Sequence, residues 1–330
     1  MEGMIGRSLQ LRSSPHRLQR LVILGVLIGL ALLMSVSAEN FLTVNNINNV
    51  LKQTAFTVLT GAAALLLVVS GNIDLSVGSV LATTCVIFAS LCKSGMGICL
   101  AALVSVAVGA MIGLVNAVVS VRFKIPAIIA TIISMYVFRG FAYAICGANP
   151  VVVPFSVKNF SFLGRSYVAG IIPFPVVLMV GFVALFIFIE KKTLVGKYAV
   201  AIGGNRTSAI LSGINVDRIQ TVLFVLTGAM AGLSGALMAS RLGSGDPTAG
   251  QGFEFDVMIA IILGGTNING GEGSVVGAVI GAFIVGILNN GMNQLDIQSF
   301  YQFVVKGVVL ALAIVFDQFM KSRIMAMGTR

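Results

Sequence analysis

The chain has 330 residues, of which 57% are hydrophobic and only 10% charged, and its formal net charge is +10; the mean hydropathy is +1.02. A soluble domain of this length would carry roughly 25% charged residues, so a soluble globular fold is excluded. The basic residues do not cluster into the face that nucleic acid requires but sit in short segments between apolar runs, as charge does when it orients a chain in a membrane.

Apolar runs long enough to cross about 30 Å of hydrocarbon recur along the chain. Lipid offers the backbone no water, so the spans must be helices, and the ~10-residue alternation of a β-barrel is missing. We place spans near 21–38, 50–70, 78–92, 97–120, 127–147, 170–189, 219–241, 253–265, 273–291 and 301–320. The fold class is therefore an all-α polytopic membrane protein of about ten transmembrane helices. Its membrane domain covers 21–320, between a basic tail 1–20 and a tail 321–330. The first 38 residues also have the shape of a secretory signal, with Val36-Ser37-Ala38 as a cleavage site. That apolar stretch is long for a signal, and we read it as the first helix. Phe253–Gly265 reaches only roughly 20 Å at about 1.5 Å per residue, so a re-entrant half-helix is the alternative to a span there.

Orientation follows from Lys and Arg. With the N-terminus cytoplasmic, the inside segments hold Arg7, Arg12, Arg17, Arg20, Arg122, Lys124, Lys191, Lys192, Lys197, Arg206, Arg218, Lys321, Arg323 and Arg330, which is 14 of the 21 basic residues. Both termini are expected inside, and residues 190–218 form a long cytoplasmic loop.

The missing chemistry narrows the field. The single histidine, His16, lies in the basic tail, so His-based triads and His metal clusters are excluded. Gly196-Lys197 is followed by Tyr198 and lacks the upstream glycine of a phosphate-binding loop, so this chain is not an ATPase. No catalytic or metal-ligating set is expected. Cys85, Cys92, Cys99 and Cys146 read as small apolar helix residues; a disulfide between Cys92 and Cys99, across a short outer loop, is the alternative.

Three polar constellations interrupt the apolar runs. Gly71–Ser79 places Asp74 near hydrocarbon depth, where a carboxylate is expensive and usually functional. The bland reading makes Asp74 an N-cap at the inner rim. Gly203–Asn215 reads as a Gly203-Gly204 turn, an Asn205 cap and a short helix Thr207–Ser212 ended by Gly213. With Ala209, Ile210 and Leu211 available, it is either a docking element or an ordinary surface loop. Leu263–Ser274 echoes the first motif, Asn72-Ile73-Asp74 matching Asn267-Ile268-Asn269 and Gly78-Ser79-Val80 matching Gly273-Ser274-Val275. Asn72, Asp74, Ser76, Thr266, Asn267 and Asn269 are thereby candidates for a translocation pathway or its gate, against tight small-residue packing with no ligand role. Arg139 joins them. It lies about 12 residues into its span, where an unpaired cation costs at least ~2.5 kcal/mol, and Asp256 and Asp74 are its candidate partners, with snorkelling to the outer interface as the alternative.

From about Asn40 to Asp317 the chain resembles the ribose/xylose/arabinose-type permeases of ABC importers. The carrying stretches are Gly71–Ser79, Phe138-Arg139-Gly140, Ala201–Asn205, Leu211–Ile214, Arg241–Ser244, Pro247–Gly250, Leu263–Ser274, Leu288–Asn293 and Phe300-Tyr301-Gln302. Asn72 departs from the pattern, the family more often having a second glycine there. The resemblance implies about ten helices and two permease copies, identical or not, around one pathway in the bacterial inner membrane. It implies a cytoplasmic ABC ATPase that carries the ATP and Mg, no cofactor in this chain, and a soluble sugar-binding protein outside. It also implies that Gly203, Gly204, Asn205, Arg206, Ala209, Leu211, Ser212 and Gly213 seat a coupling helix in the ATPase, and that a monosaccharide moves inward by alternating access. A permease for branched-chain amino acids or nucleosides would share these features. An ion-coupled secondary transporter would need a coupling-ion site from Asp74, Arg139, Asp256 and Glu272.

Overall fold

The structure, a computed structural model, describes residues 14–328, so much of the expected tail 1–20 and the final Arg330 fall outside it. In chain order the helices are α1 (Ser14–Ser37), α2 (Val44–Val69), α3 (Val77–Lys93), α4 (Ile98–Ala117), α5 (Ala127–Cys146), the single turn α6 (Phe162–Arg165), α7 (Phe174–Lys192), α8 (Leu194–Gly204), α9 (Arg206–Leu211), α10 (Val216–Leu242), α11 (Phe253–Leu263), α12 (Val275–Gln294) and α13 (Ser299–Gly328). A π-turn, Val118–Arg122, prolongs α4. Two antiparallel pairs of two-residue strands, Val151–Val152 with Ser244–Gly245 and Tyr167–Val168 with Ile172–Pro173, add the β structure that the sequence reading did not foresee.

A helix occupies each expected apolar segment, and among the described residues six helices are long and apolar enough to cross a membrane: α2, α4 with its π-turn, α5, α7, α10 and α12. The chain is an all-α membrane protein. Polar caps set the starts of several helices: Thr43 accepts from Asn46 N–H, Thr193 from Gly196, Asn205 from Ser208 and Asn215 from Arg218.

α2 forms the centre, with 94% of its most apolar window buried, against 22% for α5 and for α7. The peripheral helices leave Ile133, Val137, Phe141, Val180 and Phe188 exposed, an apolar surface that lipid or another chain must cover. α10 packs against α4, α3 and α2. It approaches α4 through two pairs of glycines four apart, where a Cβ on Gly109 would run into the Gly228 carbonyl and one on Gly228 into that of Gly109. Gly113 likewise meets the Phe224 carbonyl and Gly232 that of Ser105. Without a solvent-driven term between helices in lipid, such close backbone approach is what dispersion requires. Where α2 begins and α12 ends, an amide clasp joins them: Asn46 Nδ2 donates to Asn290 Oδ1 (2.9 Å), and Asn290 Nδ2 and Gln294 Nε2 donate to Asn46 Oδ1 (2.8 and 2.7 Å).

A bulky residue in the α4–α10 seam should therefore loosen the bundle. Gly228→Leu is expected to destabilise by about 1–3 kcal/mol. Gly181→Leu, on α7 with no atom within 4 Å of its Cβ position, should leave stability unchanged. Thermal unfolding of the detergent-solubilised chain checks the difference.

Candidate functional site

The first break, residues 70–76, is an ascending limb. Ser70 O accepts from Gln220 on α10 (3.3 Å), whereas Gly235 of α10 abuts Leu81 and Thr84 on α3. Fifteen residue steps of α10 separate these points, about 22 Å. The first turns of α3 cover about 8 Å of this, so residues 71–76 climb roughly 14 Å as extended chain. Gly71, at φ +87°, turns the chain out of α2. Such a limb carries backbone groups that lipid cannot satisfy, so neighbouring side chains must. Thr131 of α5 accepts from Leu75 N–H (3.2 Å). Asp74, buried at 5% exposure, accepts from Ser76 N–H (2.8 Å) and Ser76 Oγ (2.6 Å). Asn116 of α4 donates to Ser76 Oγ (2.8 Å) and more distantly to Asp74 (3.5 Å), and Ser134 of α5 donates to Asn116 Oδ1. Ser76 is the residue before α3, and Asp74 closes a turn in front of it rather than capping the helix.

The second break, residues 264–274, is longer and turns on three glycines of positive φ: Gly265, Gly270 and Gly271. Asn267 Oδ1 accepts from Asn269 N–H (3.1 Å), and Asn267 N–H donates to Glu272 O (3.0 Å). The matching triplets therefore make their turns at non-equivalent positions, Asp74 in one and Asn267 in the other. The echo in sequence is not a repeat in backbone.

The two breaks meet each other and the end of α8 through backbone. Gly271 N–H donates to Val69 O (2.8 Å). A Cβ on Gly270 would lie 2.9 Å from Val69 O, 3.0 Å from Gly203 Cα and 3.0 Å from Gly71 N, and one on Gly271 would lie 3.1 Å from Gly204 Cα. Gly203 itself faces Val69 O and Gly271 N with no room for a side chain. The expected Gly203-Gly204 turn is corrected here: both residues end α8 helically, and the turn falls at Asn205. Asn72 Nδ2 and Thr266 Oγ1, one in each break, are buried and have no hydrogen-bond partner among the described residues.

Beyond that junction α9 stands out from the bundle. Asn205 caps it, Gly213 at φ +80° ends it, and Arg206 pairs with Asp217 at 3.7 Å, both largely exposed. Ala209 is buried with Ile202 and Val216, so it anchors the helix and is not available for docking as expected. Ile210 and Leu211, 54% and 83% exposed, point away, beside exposed Ser212.

Arg139 is a correction too. Neither expected carboxylate pairs with it. Asp256 lies 2.8 Å from Lys306 on α13 through Oδ1 and 2.9 Å through Oδ2, with Asn289 donating to it, and Asp74 is engaged as above. Arg139 instead donates to three main-chain oxygens, Pro247 O (2.9 Å), Ala249 O (2.8 Å) and Gly250 O (3.4 Å). They belong to a non-helical segment that descends alongside α3, Gly245 resting on Cys85 and Ala89 and Gly250 on Gly78 and Leu81. It delivers the chain to α11, whose 11 residues reach about 16 Å. Arg139 is thus far from the glycine junction, on a second stretch of unwound backbone.

Sequence reasoning missed Asn116, Ser134 and Lys306, whose only signal was a polar atom inside an apolar run. The four cysteines are free, Cys92 buried and Cys99 exposed. Among the described residues no three of His, Cys, Asp and Glu lie together as a metal site.

The family model for the branched-chain amino acid transport system / permease component matches residues 46–314. The ribose import permease protein RbsC of Haemophilus influenzae is 37% identical over 90% of this chain and 92% of its own length. RbsC of Bacillus subtilis is 39% identical over 89% and 92%, and the D-allose transport system permease protein AlsC of Escherichia coli is 36% identical over 87% and 88%. No solved structure matches.

Replacing Arg139 by Leu leaves three carbonyls inside the bundle without their donor, at about 1–3 kcal/mol for each group left unsatisfied. Arg139→Leu should lower the unfolding temperature by several degrees, and Arg139→Lys, which reaches fewer oxygens, by less. Equal stability of all three proteins would contradict the carbonyl-capping role.

Proposed function

The chain belongs to the sugar-importer permease family of binding-protein-dependent ABC systems, and from that premise we propose that it is the membrane-spanning subunit of an ATP-driven importer for a monosaccharide. It is a multi-pass membrane protein. In the proposed assembly two permease copies enclose the pathway in the bacterial inner membrane, and both termini face the cytoplasm. The cytoplasmic ATPase binds and hydrolyses ATP with Mg, while this chain contributes no cofactor.

The observation that carries the reading is the junction of α8 with both breaks. A docking helix that presents Ile210 and Leu211 outward continues, through Asn205, into Gly203 and Gly204, and these touch Val69, Gly270 and Gly271. Residues Gly203–Gly213, within the loop 190–218, are the proposed seat for the ATPase. A displacement of α9 then reaches the two breaks with no side chain between to absorb it, because packed backbone is nearly incompressible. Asn72 and Thr266, whose Nδ2 and Oγ1 are buried without a partner among the described residues, are the proposed gate groups: opening the break supplies them with water or a sugar hydroxyl. Asp74 and Ser76 hold the ascending limb to α4 and α5 in this scheme, and Asn267 and Asn269 set the turn of the other break. On the outer side, Lys93 and Lys158 line one depression and Lys158 and Arg165 another, a basic surface suited to an acidic face on the soluble binding protein.

The family description also names branched-chain amino acids, and such cargo would keep the same machinery. The ligand of the cognate soluble protein decides between the two.

Leu211→Asp places a charge at the centre of the proposed contact without touching the bundle. Loss of an apolar anchor costs about 2 kcal/mol, roughly thirtyfold in affinity. ATPase co-purifying with the permease should fall accordingly, and sugar-stimulated ATP hydrolysis with it, while the permease alone keeps its unfolding temperature. Unchanged assembly and unchanged stimulated hydrolysis would remove the docking role.

A further inference from the structure

α5 carries two exposed stripes of opposite chemistry. Residues 133, 137 and 141 make one, with Ile133, Val137 and Phe141 exposed at 52%, 46% and 53%. Residues 136, 139, 140 and 143, spaced i, i+3, i+4 and i+7, make the other. It holds Tyr136 (72% exposed), half-buried Arg139, Gly140 and Tyr143. Because Arg139 donates to the carbonyls of Pro247, Ala249 and Gly250, this second stripe adjoins the descending segment, on which Thr248 and Gln251 are exposed. Thr248 Oγ1 donates to Asp246 (2.7 Å). The Gln251 carboxamide makes no hydrogen bond among the described residues.

The depth of these groups is what matters. Gly250 rests on the first turn of α3 and Arg139 lies about two thirds along α5, well inside the bundle's height. Lipid there would leave the Gln251 carboxamide unsatisfied, as it does not do to Ile133 or Val137. The surface of Tyr136, Tyr143, Thr248 and Gln251 therefore faces water. Its chemistry is that of a site for a neutral polyol: aromatic faces for ring C–H groups, and an amide that both donates and accepts for hydroxyls. The Arg139 cation is engaged by main-chain oxygens, and the Asp246 carboxylate beside it accepts from Thr248 N–H and Oγ1.

We propose that this face is the wall of the path along which the sugar passes, that Tyr136 and Gln251 contact the sugar, and that Arg139 is a positioning residue holding the segment that bears Gln251. This rests on the reading of the chain as a monosaccharide permease.

The test uses the full importer in native membranes with the permease carrying Cys99→Ser and Cys146→Ser, so that only buried Cys85 and Cys92 remain. Tyr136→Cys, Gln251→Cys, Ile133→Cys and Val137→Cys are each treated with a charged, membrane-impermeant methanethiosulfonate. Labelling at 136 and 251 should be at least tenfold faster than at 133 and 137, and severalfold slower with saturating ribose, allose or arabinose, whichever the wild type takes up. Gln251→Leu should change the ratio of uptake efficiencies (kcat/KM) for two of these sugars at least fivefold, with the unfolding temperature unchanged. Labelling at 136 and 251 as slow as at 133 and 137, or sugar ratios unaltered in Gln251→Leu, would overturn the proposal. If the wild type takes up none of the three sugars with ATP, the monosaccharide reading falls. Fast labelling at 136 and 251 would even then establish the aqueous face, and slow labelling would sink that as well.

Discussion

Main chain packed on main chain, at Val69, Gly203, Gly204, Gly270 and Gly271, is the contact on which this end of the bundle depends. A side chain on Gly203, Gly270 or Gly271 would push these segments apart, since a Cβ on Gly203 meets backbone rather than the flexible end of a neighbour, whereas Gly204 contributes only its backbone. Glycine carries an entropic cost in helices and turns, about 0.5–1 kcal/mol against alanine in a helix. Here that cost is offset by an approach no other residue permits, and by the hydrogen bond from Gly271 N–H to Val69 O. Two interruptions of the transmembrane run and one loop helix are thereby fastened as a single rigid unit.

A second constraint is that unwound backbone inside a membrane bundle needs donors and acceptors from somewhere. α5 supplies them for two of the three unwound segments, residues 70–76 and the stretch 247–250. Near its start Thr131 accepts from Leu75, one turn on Ser134 donates to Asn116, and farther along Arg139 serves three carbonyls of 247–250. A helix that is mostly exposed and apolar thus has one polar edge, and that edge fixes the path of chain on either side of it. The Lys306–Asp256 pair does comparable work for α13, which has its main packing against α11. Removing one partner of so enclosed a pair is costly because it strands the other charge.

The helices were legible because lipid imposes a long apolar run on any segment that crosses it, and the runs around 50–70 and 219–241 could be nothing else. Gly213 and Asn205 were readable as the ends of a short helix because caps and positive φ have narrow residue preferences. The reading failed where the outcome depends on tertiary contact. Gly203-Gly204 has the composition of a turn, and only the close approach of Val69 and Gly271 explains why helix persists through it. Arg139 invited a carboxylate partner because charge is visible in sequence, whereas three carbonyls of a distant loop are not. The triplets at 72–74 and 267–269 look alike, yet the six residues 71–76 of one break must climb while the eleven residues 264–274 of the other must fold back. Ala209 reads as available for docking until its burial against Ile202 and Val216 is seen.

The glycine junction has one more consequence, which concerns inheritance. A contact made of peptide groups is blind to the side chains on either side of it, so in the proposed assembly α9 and the membrane bundle are free to diverge independently as long as the glycines stay. Under that proposal Ile210, Leu211 and the residues around them can drift to suit a different motor, and the lining of the bundle can drift to suit a different cargo, without either change disturbing the other. The junction would then serve as a standard fitting between two parts that can be exchanged separately.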